Sequence, residues 1–232
     1  MRFAGLQKLT LLDFPGTVAC TVFTDGCNFR CPFCHNASLV LEGKEQNYLE
    51  EDELLTFFKK RYGILEGVVF TGGEPLLHRD LPDFFRKVKE IGYRIKLDTN
   101  GTNPDLLEQL IGEGLVDRVA MDIKNAPDCY GRTVGIENFD LEKVTRSKEL
   151  LMKRKIPFEF RTTVVKGLHD KERLVRLAEW IAGDEEYYLQ SFKDSGDLIR
   201  PDGLSEFSKQ EMLDFAEAVR PFVPLVQVRG IS

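Results

Sequence analysis

The chain has 232 residues, of which 42% are hydrophobic, and this is enough for one sizeable core. Its 32 Lys and Arg against 38 Asp and Glu give a net charge of -6, without the basic excess that proteins use to bind a phosphate backbone. We therefore expect no nucleic-acid partner. No apolar run is long enough to span a membrane, and the first residues lack the layout of a secretory signal, so we expect a cytoplasmic protein with no membrane partner.

Short β-branched segments alternate along the chain with longer segments of helical period, and Gly, Pro, Asn or Asp usually separates them. This alternation predicts βα units within a single domain over residues 1–232. The predicted strands cover residues 18–23, 68–71, 94–98, 116–122, 158–164, 187–190 and 225–228. The predicted helices cover residues 50–62, 81–91, 104–112, 141–153, 171–181 and 208–219.

Repeated βα units fit either an open doubly wound sheet or a full or partial parallel barrel. Both architectures place chemistry at the carboxyl ends of the strands. With about seven strands, the chain is short of a complete eight-fold barrel. The polar motifs do follow predicted strands.

Three of the five cysteines, Cys27, Cys31 and Cys34, lie within eight residues with the spacing C-x3-C-x2-C. A structural zinc site needs four ligands, and here the second cysteine pair is missing. An iron–sulfur cubane also usually takes four cysteines, so three would leave one iron open to another ligand. The alternative is a zinc site completed by His35 or by the distant Cys129.

A second motif, Gly72-Gly73-Glu74-Pro75, follows the next predicted strand. The two glycines allow close approach of the backbone, and the Glu74 carboxylate suits an ammonium group and would repel a phosphate. No Lys-Ser or Lys-Thr pair follows, which excludes a P-loop. The alternative is a tight turn with a solvent-facing glutamate.

The cysteine spacing, with the aromatic Phe33 before the third cysteine, and the glycine motif together resemble the radical S-adenosylmethionine (SAM) superfamily. This resemblance implies a single domain built as a partial parallel (β/α)6-type TIM barrel, with a cluster loop over residues 24–36. It implies that the three cysteines hold a [4Fe-4S] cluster whose fourth iron binds SAM, and that Glu74 binds the SAM amino group. One-electron reduction then cleaves SAM to methionine and a 5′-deoxyadenosyl radical.

The segments 97–101 (LDTNG) and 121–124 (MDIK) are similar to those of the glycyl-radical-enzyme activases within this superfamily. Such enzymes remove a hydrogen atom from a backbone glycine of a partner enzyme. The segments 5–8 and 12–16 most resemble the activating proteins of anaerobic ribonucleoside-triphosphate reductase. The resemblance implies that reductase as the partner and a flavodoxin or ferredoxin as the electron donor.

Within these segments, Asp98, Thr99 and Asp122 match positions that hold a monovalent cation beside the SAM carboxylate in related activases. Hard oxygen ligands suit such a cation. Asn100 belongs to the same cofactor-binding segment. The alternative for Asp98 and Thr99 is capping of the following helix. Lys124 has three alternatives: pairing with the SAM carboxylate, pairing with Asp122, or a solvated side chain.

Arg161 matches a strand residue that approaches the ribose and adenine of SAM. An arginine inside a barrel needs a partner for its charge, but the side chain could equally point outward. Related activases often carry a histidine after the next strand, where this chain has Gln190 and Phe192 as substitutes. Asp13 matches a position near the partner's glycine loop, and otherwise it is a turn residue.

Other functions remain open at this point. Within the same superfamily they are a pyruvate formate-lyase type activase and a small-metabolite enzyme of the deazapurine synthase type. Outside it, the alternative is a zinc-binding interaction module using the three clustered cysteines and His35.

Overall fold

In the part of the chain that the structure describes, nine strands form one sheet. The computed structural model describes residues 2–41, 48–153, 155–183, 185–194 and 196–231; Met1 and Ser232, the ends of the predicted domain, lie outside them. The strands are β1 (Arg2–Thr10), β2 (Ala19–Thr24), β3 (Leu49–Glu50), β4 (Gly67–Gly72), β5 (Arg94–Thr99), β6 (Arg118–Asp122), β7 (Phe158–Val164), β8 (Glu186–Ser191) and β9 (Val226–Arg229).

Helices follow most of these strands. They are α1 (Ala37–Val40), α2 (Glu51–Arg61), α3 (Leu81–Ile91), α4 (Pro104–Gly112), α5 (Tyr130–Val134), α6 (Glu142–Met152), α7 (Lys171–Trp180) and α8 (Lys209–Val219), with 3-10 turns over Pro75–Leu77 and Pro127–Cys129. Among the described residues, no helix combines the length and the apolar character that a membrane crossing requires.

The sheet runs in the order β3-β1-β2-β4-β5-β6-β7-β8-β9. From β2 to β9 every neighbouring pair is parallel, whereas β1 pairs antiparallel with both β2 and β3. The two end strands do not pair with each other in the described ranges, so the curved sheet stays open along one side. The predicted partial parallel α/β barrel is therefore confirmed.

Alternate residues of each strand face opposite environments, as the pleat of a strand requires. On β4, Phe70 faces outward and packs against Phe85 of α3 with ring centroids 4.6 Å apart. Its neighbour Val69 faces the lumen, where it packs with Phe14 and Ala19. Apolar side chains therefore cover the outer face of the sheet beneath the helices.

The predicted elements lie within one or two residues of the observed ones, and Ser208 and Asn103 cap the helices that follow them. Four elements were not predicted, namely β1, β3, α1 and α5. The sequence of β1, RFAGLQKLT, mixes glycine, lysine and glutamine with its apolar residues, because this strand lies near the edge of the sheet. Because polar and apolar residues alternate only weakly in β1, its sequence does not predict a strand.

The lumen face of β5 to β7 carries charges. Lys96 and Glu159 are each 1% exposed, and Lys96 Nζ lies 2.6 Å from an Asp98 oxygen and 3.9 Å from a Glu159 oxygen. Glu159 also accepts from Arg118 at 2.8 Å and from Arg229 at 3.4 Å. One buried carboxylate thus balances cations from β5, β6 and β9.

We predict that Glu159→Gln lowers the free energy of unfolding by about 3 kcal/mol, because removing one partner leaves buried cations without their counter-charge. Urea denaturation checks this value. The control is Glu217→Gln, whose carboxylate pairs with Arg220 at 2.9 Å on the surface and whose loss should have no measurable effect. Equal stability of both variants would contradict this account of the lumen.

Candidate functional site

The cysteine loop leaves the carboxyl end of β2 and turns back beneath the ends of the neighbouring strands. Cys27, Cys31 and Cys34 all line one cavity of about 180 Å³, together with the rings of Phe29 and Phe33. Across the described ranges, no group of three or more His, Cys, Asp or Glu side chains is arranged to hold a metal ion. The three cysteines line the wall of the same cavity.

Burial governs the chemistry of these thiols. It raises the pKa of Cys27 to about 11 and that of Cys31 to about 12, and it raises the pKa of Cys34 as well. The free thiols are therefore protonated at neutral pH. A metal cluster binds thiolates, so its binding would release these protons to solvent.

The glycine motif sits directly against the start of the cysteine loop. Gly72 has a φ of +108°, which favours glycine, and a Cβ on Gly73 would lie 1.8 Å from the carbonyl oxygen of Gly26. The backbone N–H of Gly73 donates to Thr24 at 2.9 Å, and that of Glu74 donates to Gly26 at 2.8 Å. The close approach of two backbones therefore explains both glycines.

Glu74 is 1% exposed and links the end of β4 to the end of β5. One carboxylate oxygen accepts from the Thr99 hydroxyl at 2.7 Å and from the Leu76 N–H at 3.0 Å, and the other accepts from the Asn100 N–H at 2.7 Å. Burial raises the pKa of Glu74 to about 7, although these three hydrogen bonds oppose the rise. The predicted alternative of a solvent-facing glutamate is wrong.

A chain of charges lies beside Glu74 on the lumen wall. Arg161 donates to Asp98 and to Asp122, both at 2.9 Å, and Lys124 donates to the second oxygen of Asp122 at 2.9 Å. Ala120 of β6 stands in register with Asp98, and its small side chain leaves room for Arg161 to cross from β7 to β5. Arg161 therefore points into the lumen, and the outward alternative is wrong.

Burial acts to raise the pKa of each carboxylate in this chain, but the neighbouring cations outweigh it. The pKa of Asp122 falls to about 2 because Arg161 and Lys124 face it, and the pKa of Asp98 is lowered by Arg161 and Lys96. The two carboxylates in turn hold the pKa of Arg161 above its ordinary value. Asp98, Asp122, Arg161 and Lys124 are therefore all charged at neutral pH.

The oxygens predicted to bind a monovalent cation already have partners within the protein. The oxygens of Asp98 and Asp122 have protein cations as partners, and the Thr99 hydroxyl is bonded to Glu74. A bound cation would therefore have to share these oxygens with Arg161 and Lys124. The cation stays a prediction.

The structure brings most of the predicted site residues together. The cavity is lined by Cys27, Cys31, Phe33, Cys34, Gly72, Gly73, Glu74, Asp98, Thr99, Asn100, Asp122 and Lys124. Sequence reasoning missed five further lining residues, Phe29, Asn36, Val40, Thr71 and Thr163, and named His35, which also lines the cavity, only as a zinc ligand. Thr71 and Thr163 are the second-to-last residues of β4 and β7, next to recognised motifs, and this position near the carboxyl ends of strands was the available signal.

Other predicted site residues lie off the cavity wall. Pro75 begins the 3-10 turn after Glu74, and Gln190 lies on β8 in register with Thr163. Asp13 lies in the loop between β1 and β2, where it accepts a 2.6 Å hydrogen bond from the Thr21 hydroxyl. Its proposed contact with a substrate stays a prediction, as does that of Gln190 with SAM.

The sequence pattern of the radical SAM superfamily matches residues 21–181. A candidate glycyl-radical enzyme activating enzyme from Methanocaldococcus jannaschii is 31% identical over 99% of this chain and 96% of its own length. A candidate GTP 3′,8-cyclase from Thermococcus kodakarensis is 32% identical over 64% of this chain, which spans 48% of that relative. The structure of Streptococcus suis SuiB bound to S-adenosylmethionine superposes with a TM-score of 0.68 at 12% identity, covering 88% of this chain and 48% of that one.

The chain belongs to the radical SAM superfamily. Enzymes of this superfamily use a [4Fe-4S] cluster and SAM, and these are the cofactors of this chain. The observed donors fit both groups. The three cysteines that line the cavity suit a cluster with one iron left open to another ligand. The Glu74 carboxylate beside them suits an ammonium group.

We predict that Gly73→Ala weakens SAM binding and lowers the free energy of unfolding by about 1 to 3 kcal/mol, because the new methyl group collides with the Gly26 backbone. Denaturant unfolding and equilibrium SAM binding to the cluster-loaded protein check this. The control is Gly112→Ala at the end of α4, where a Cβ meets no atom within 4 Å. A Gly73→Ala variant as stable as this control would contradict the close approach.

Proposed function

We propose that this chain is a glycyl-radical enzyme activating enzyme, which cleaves SAM reductively and removes a hydrogen atom from a backbone glycine of a partner protein. The observation that carries the proposal is the single cavity in which three cysteine thiols stand beside the buried Glu74 carboxylate. The relative from Methanocaldococcus jannaschii supports the activase class, since the similarity covers nearly the whole of both chains.

In this proposal Cys27, Cys31 and Cys34 hold the cluster. When bound, the cluster supplies one electron to SAM, and SAM supplies the adenosyl group that takes the hydrogen atom. Phe29 and Phe33 are nearly fully buried beside the thiols and would exclude water from this side of the site. The protein positions and shields the reaction.

Two groups on the cavity wall match the charged ends of the SAM methionine moiety. Glu74 has two carboxylate oxygens and three donors, so it retains capacity to accept a hydrogen bond from the SAM ammonium. Lys124 follows β6, two strands along the sheet from β4, and donates to Asp122 at 2.9 Å, so its remaining N–H groups could reach a carboxylate in the same cavity. The pair would fix the orientation of SAM before the electron arrives.

The open side of the barrel supports a polypeptide substrate. Among the described strands, β3 and β9 form the two ends of the sheet and leave a gap through which a loop could enter the lumen. We propose the anaerobic ribonucleoside-triphosphate reductase as the partner, on the resemblance of segments 5–8 and 12–16. Asp13 lies at the lumen side of β2 and would contact the incoming loop.

A GTP cyclase-like activity is the second candidate, because the partial match to the Thermococcus kodakarensis relative covers 64% of this chain. That match spans 48% of the relative, so the rest of that cyclase lies outside the aligned region. GTP is therefore the competing substrate in any assay.

The decisive experiment is a deuterium transfer. The partner reductase is produced with glycine deuterated at Cα and incubated without oxygen with the iron-loaded protein, a reductant and SAM. We expect a glycyl radical signal by electron paramagnetic resonance and one deuterium in the 5′-deoxyadenosine, because the abstracted atom moves from the glycine Cα to the 5′ carbon.

Two cysteine variants serve as controls in this assay. Cys31→Ala should give neither the radical nor the product, whereas Cys129→Ala should behave as the wild type, because Cys129 does not line the cavity. Product without deuterium, combined with consumption of GTP when GTP is added to the same incubation, would contradict the activase assignment and favour the cyclase-like activity.

A further inference from the structure

The side-chain amide of Asn100 faces the sulfur of Cys27. Asn100 follows β5 directly and is buried. Its Nδ2 lies 3.9 Å from Cys27 Sγ, within the longer reach of a hydrogen bond to sulfur, and 2.9 Å from Asn28 Oδ1. The backbone N–H of the same residue donates to the Glu74 carboxylate at 2.7 Å. Asn100 therefore contacts both the carboxylate and one of the thiols of the cavity.

A closed ring of hydrogen bonds fixes the orientation of this amide. Asn100 donates to Asn28 Oδ1 at 2.9 Å, Asn28 Nδ2 donates to Thr102 Oγ1 at 2.8 Å, and Thr102 Oγ1 donates to Asn100 Oδ1 at 2.7 Å. The backbone N–H of Thr102 also donates to Asn100 Oδ1, at 3.0 Å. A backbone N–H needs an acceptor, so Oδ1 must lie on the Thr102 side and Nδ2 must face Cys27.

The sulfur of Cys27 accepts a second hydrogen bond, from the backbone N–H of Phe29 at 3.4 Å. Burial raises the pKa of Cys27 to about 11, and the Phe29 hydrogen bond opposes this rise. Both amide hydrogens of Asn100 are used as well, one on Asn28 and the other on Cys27. Two N–H donors are thus directed at one sulfur, where they stabilise negative charge.

Hydrogen bonds to cysteine sulfurs are one of the factors that set the reduction potential of an iron–sulfur cluster. When a cluster gains one electron, the negative charge on its sulfur ligands increases. An N–H donor stabilises the more negative, reduced state more than the oxidised state, because hydrogen bonds to charged acceptors are stronger. A donor held against a ligand sulfur therefore raises the reduction potential.

We propose that Asn100 acts through Cys27 as a positioning residue whose amide donates to the thiolate and raises the reduction potential of the cluster. In this step the oxidised cluster gains one electron from an external reductant, and Asn100 exchanges no proton. The inference rests on the part of the proposed function that places the cluster on Cys27, Cys31 and Cys34. It holds for either candidate substrate, a partner glycine or GTP.

The test is a mediated potentiometric titration of the full-length, iron-loaded protein with titanium(III) citrate, followed by electron paramagnetic resonance of the reduced cluster. SAM is left out, so a change in SAM binding does not contribute. Asn100→Leu removes the donor without adding charge and should make reduction about threefold less favourable. This corresponds to a midpoint potential about 28 mV more negative, since a tenfold change is about 59 mV for one electron.

The matched control is Thr102→Val, which breaks the same ring of hydrogen bonds. It keeps the Asn100 amide, and the backbone N–H of residue 102 still fixes the orientation of that amide. We expect the wild-type midpoint potential in this variant. Asn100→Ser is neutral and one bond shorter, and it replaces Asn100→Leu if the leucine variant does not assemble a cluster. The same negative shift is expected for it.

An unchanged or more positive potential in the Asn100 variant overturns the proposal, as does an equal shift in Thr102→Val. Loss of the cluster from both Asn100 variants also overturns it, because Asn100 would then serve only to build the loop. Iron and sulfide analysis separates these results from the proposed function. A wild type that holds no iron and sulfide refutes the proposed function, whereas a cluster whose potential is independent of Asn100 refutes only this inference.

Discussion

The site depends on one buried carboxylate. Glu74 follows β4, yet its oxygens accept hydrogen bonds from Thr99 and Asn100 at the end of β5. A carboxylate that is 1% exposed is stable in this place only because three donors satisfy it. The same hydrogen bonds fix the distance between two strand ends. Gly73 then lets the cysteine loop approach the motif closely, so the thiols and the carboxylate face one cavity.

The lumen behind this carboxylate is charged but balanced. Asp98, Asp122 and Glu159 face the cations Lys96, Lys124 and Arg161, and each member of this group contacts a member of opposite charge. Such a network contributes little net stability compared with an apolar core, because desolvation offsets the attraction. It does fix the direction of each side chain. SAM carries an ammonium, a carboxylate and a sulfonium, and a wall with ordered charges of both signs can orient such a ligand.

Much of this arrangement could be predicted from the sequence. The βα alternation predicted the helices and strands of the barrel, and the cysteine spacing and glycine motif predicted the residues of the cavity. These patterns are local in sequence, because each strand, helix or short loop contains all of the residues that identify it. The strand β1 was not predicted, since it lies next to the edge strand β3 and its buried and exposed residues do not alternate regularly.

The direction of Arg161 could not be predicted, because it depends on the register of three strands and on the small size of Ala120 between them. Lys96 and Glu159 were missed for a related reason. A charged residue in a strand resembles a surface residue until its partner on another strand is known.

We infer that the cavity shared by the three cysteines and Glu74 is the place of reductive SAM cleavage. The most direct measurement reconstitutes the protein without oxygen, adds a small chemical reductant and SAM, and quantifies 5′-deoxyadenosine and methionine beside the bound iron, sulfide and zinc. We expect both products in equal amounts from a protein that holds iron and sulfide. A protein that holds zinc, lacks iron after reconstitution and forms neither product would contradict it.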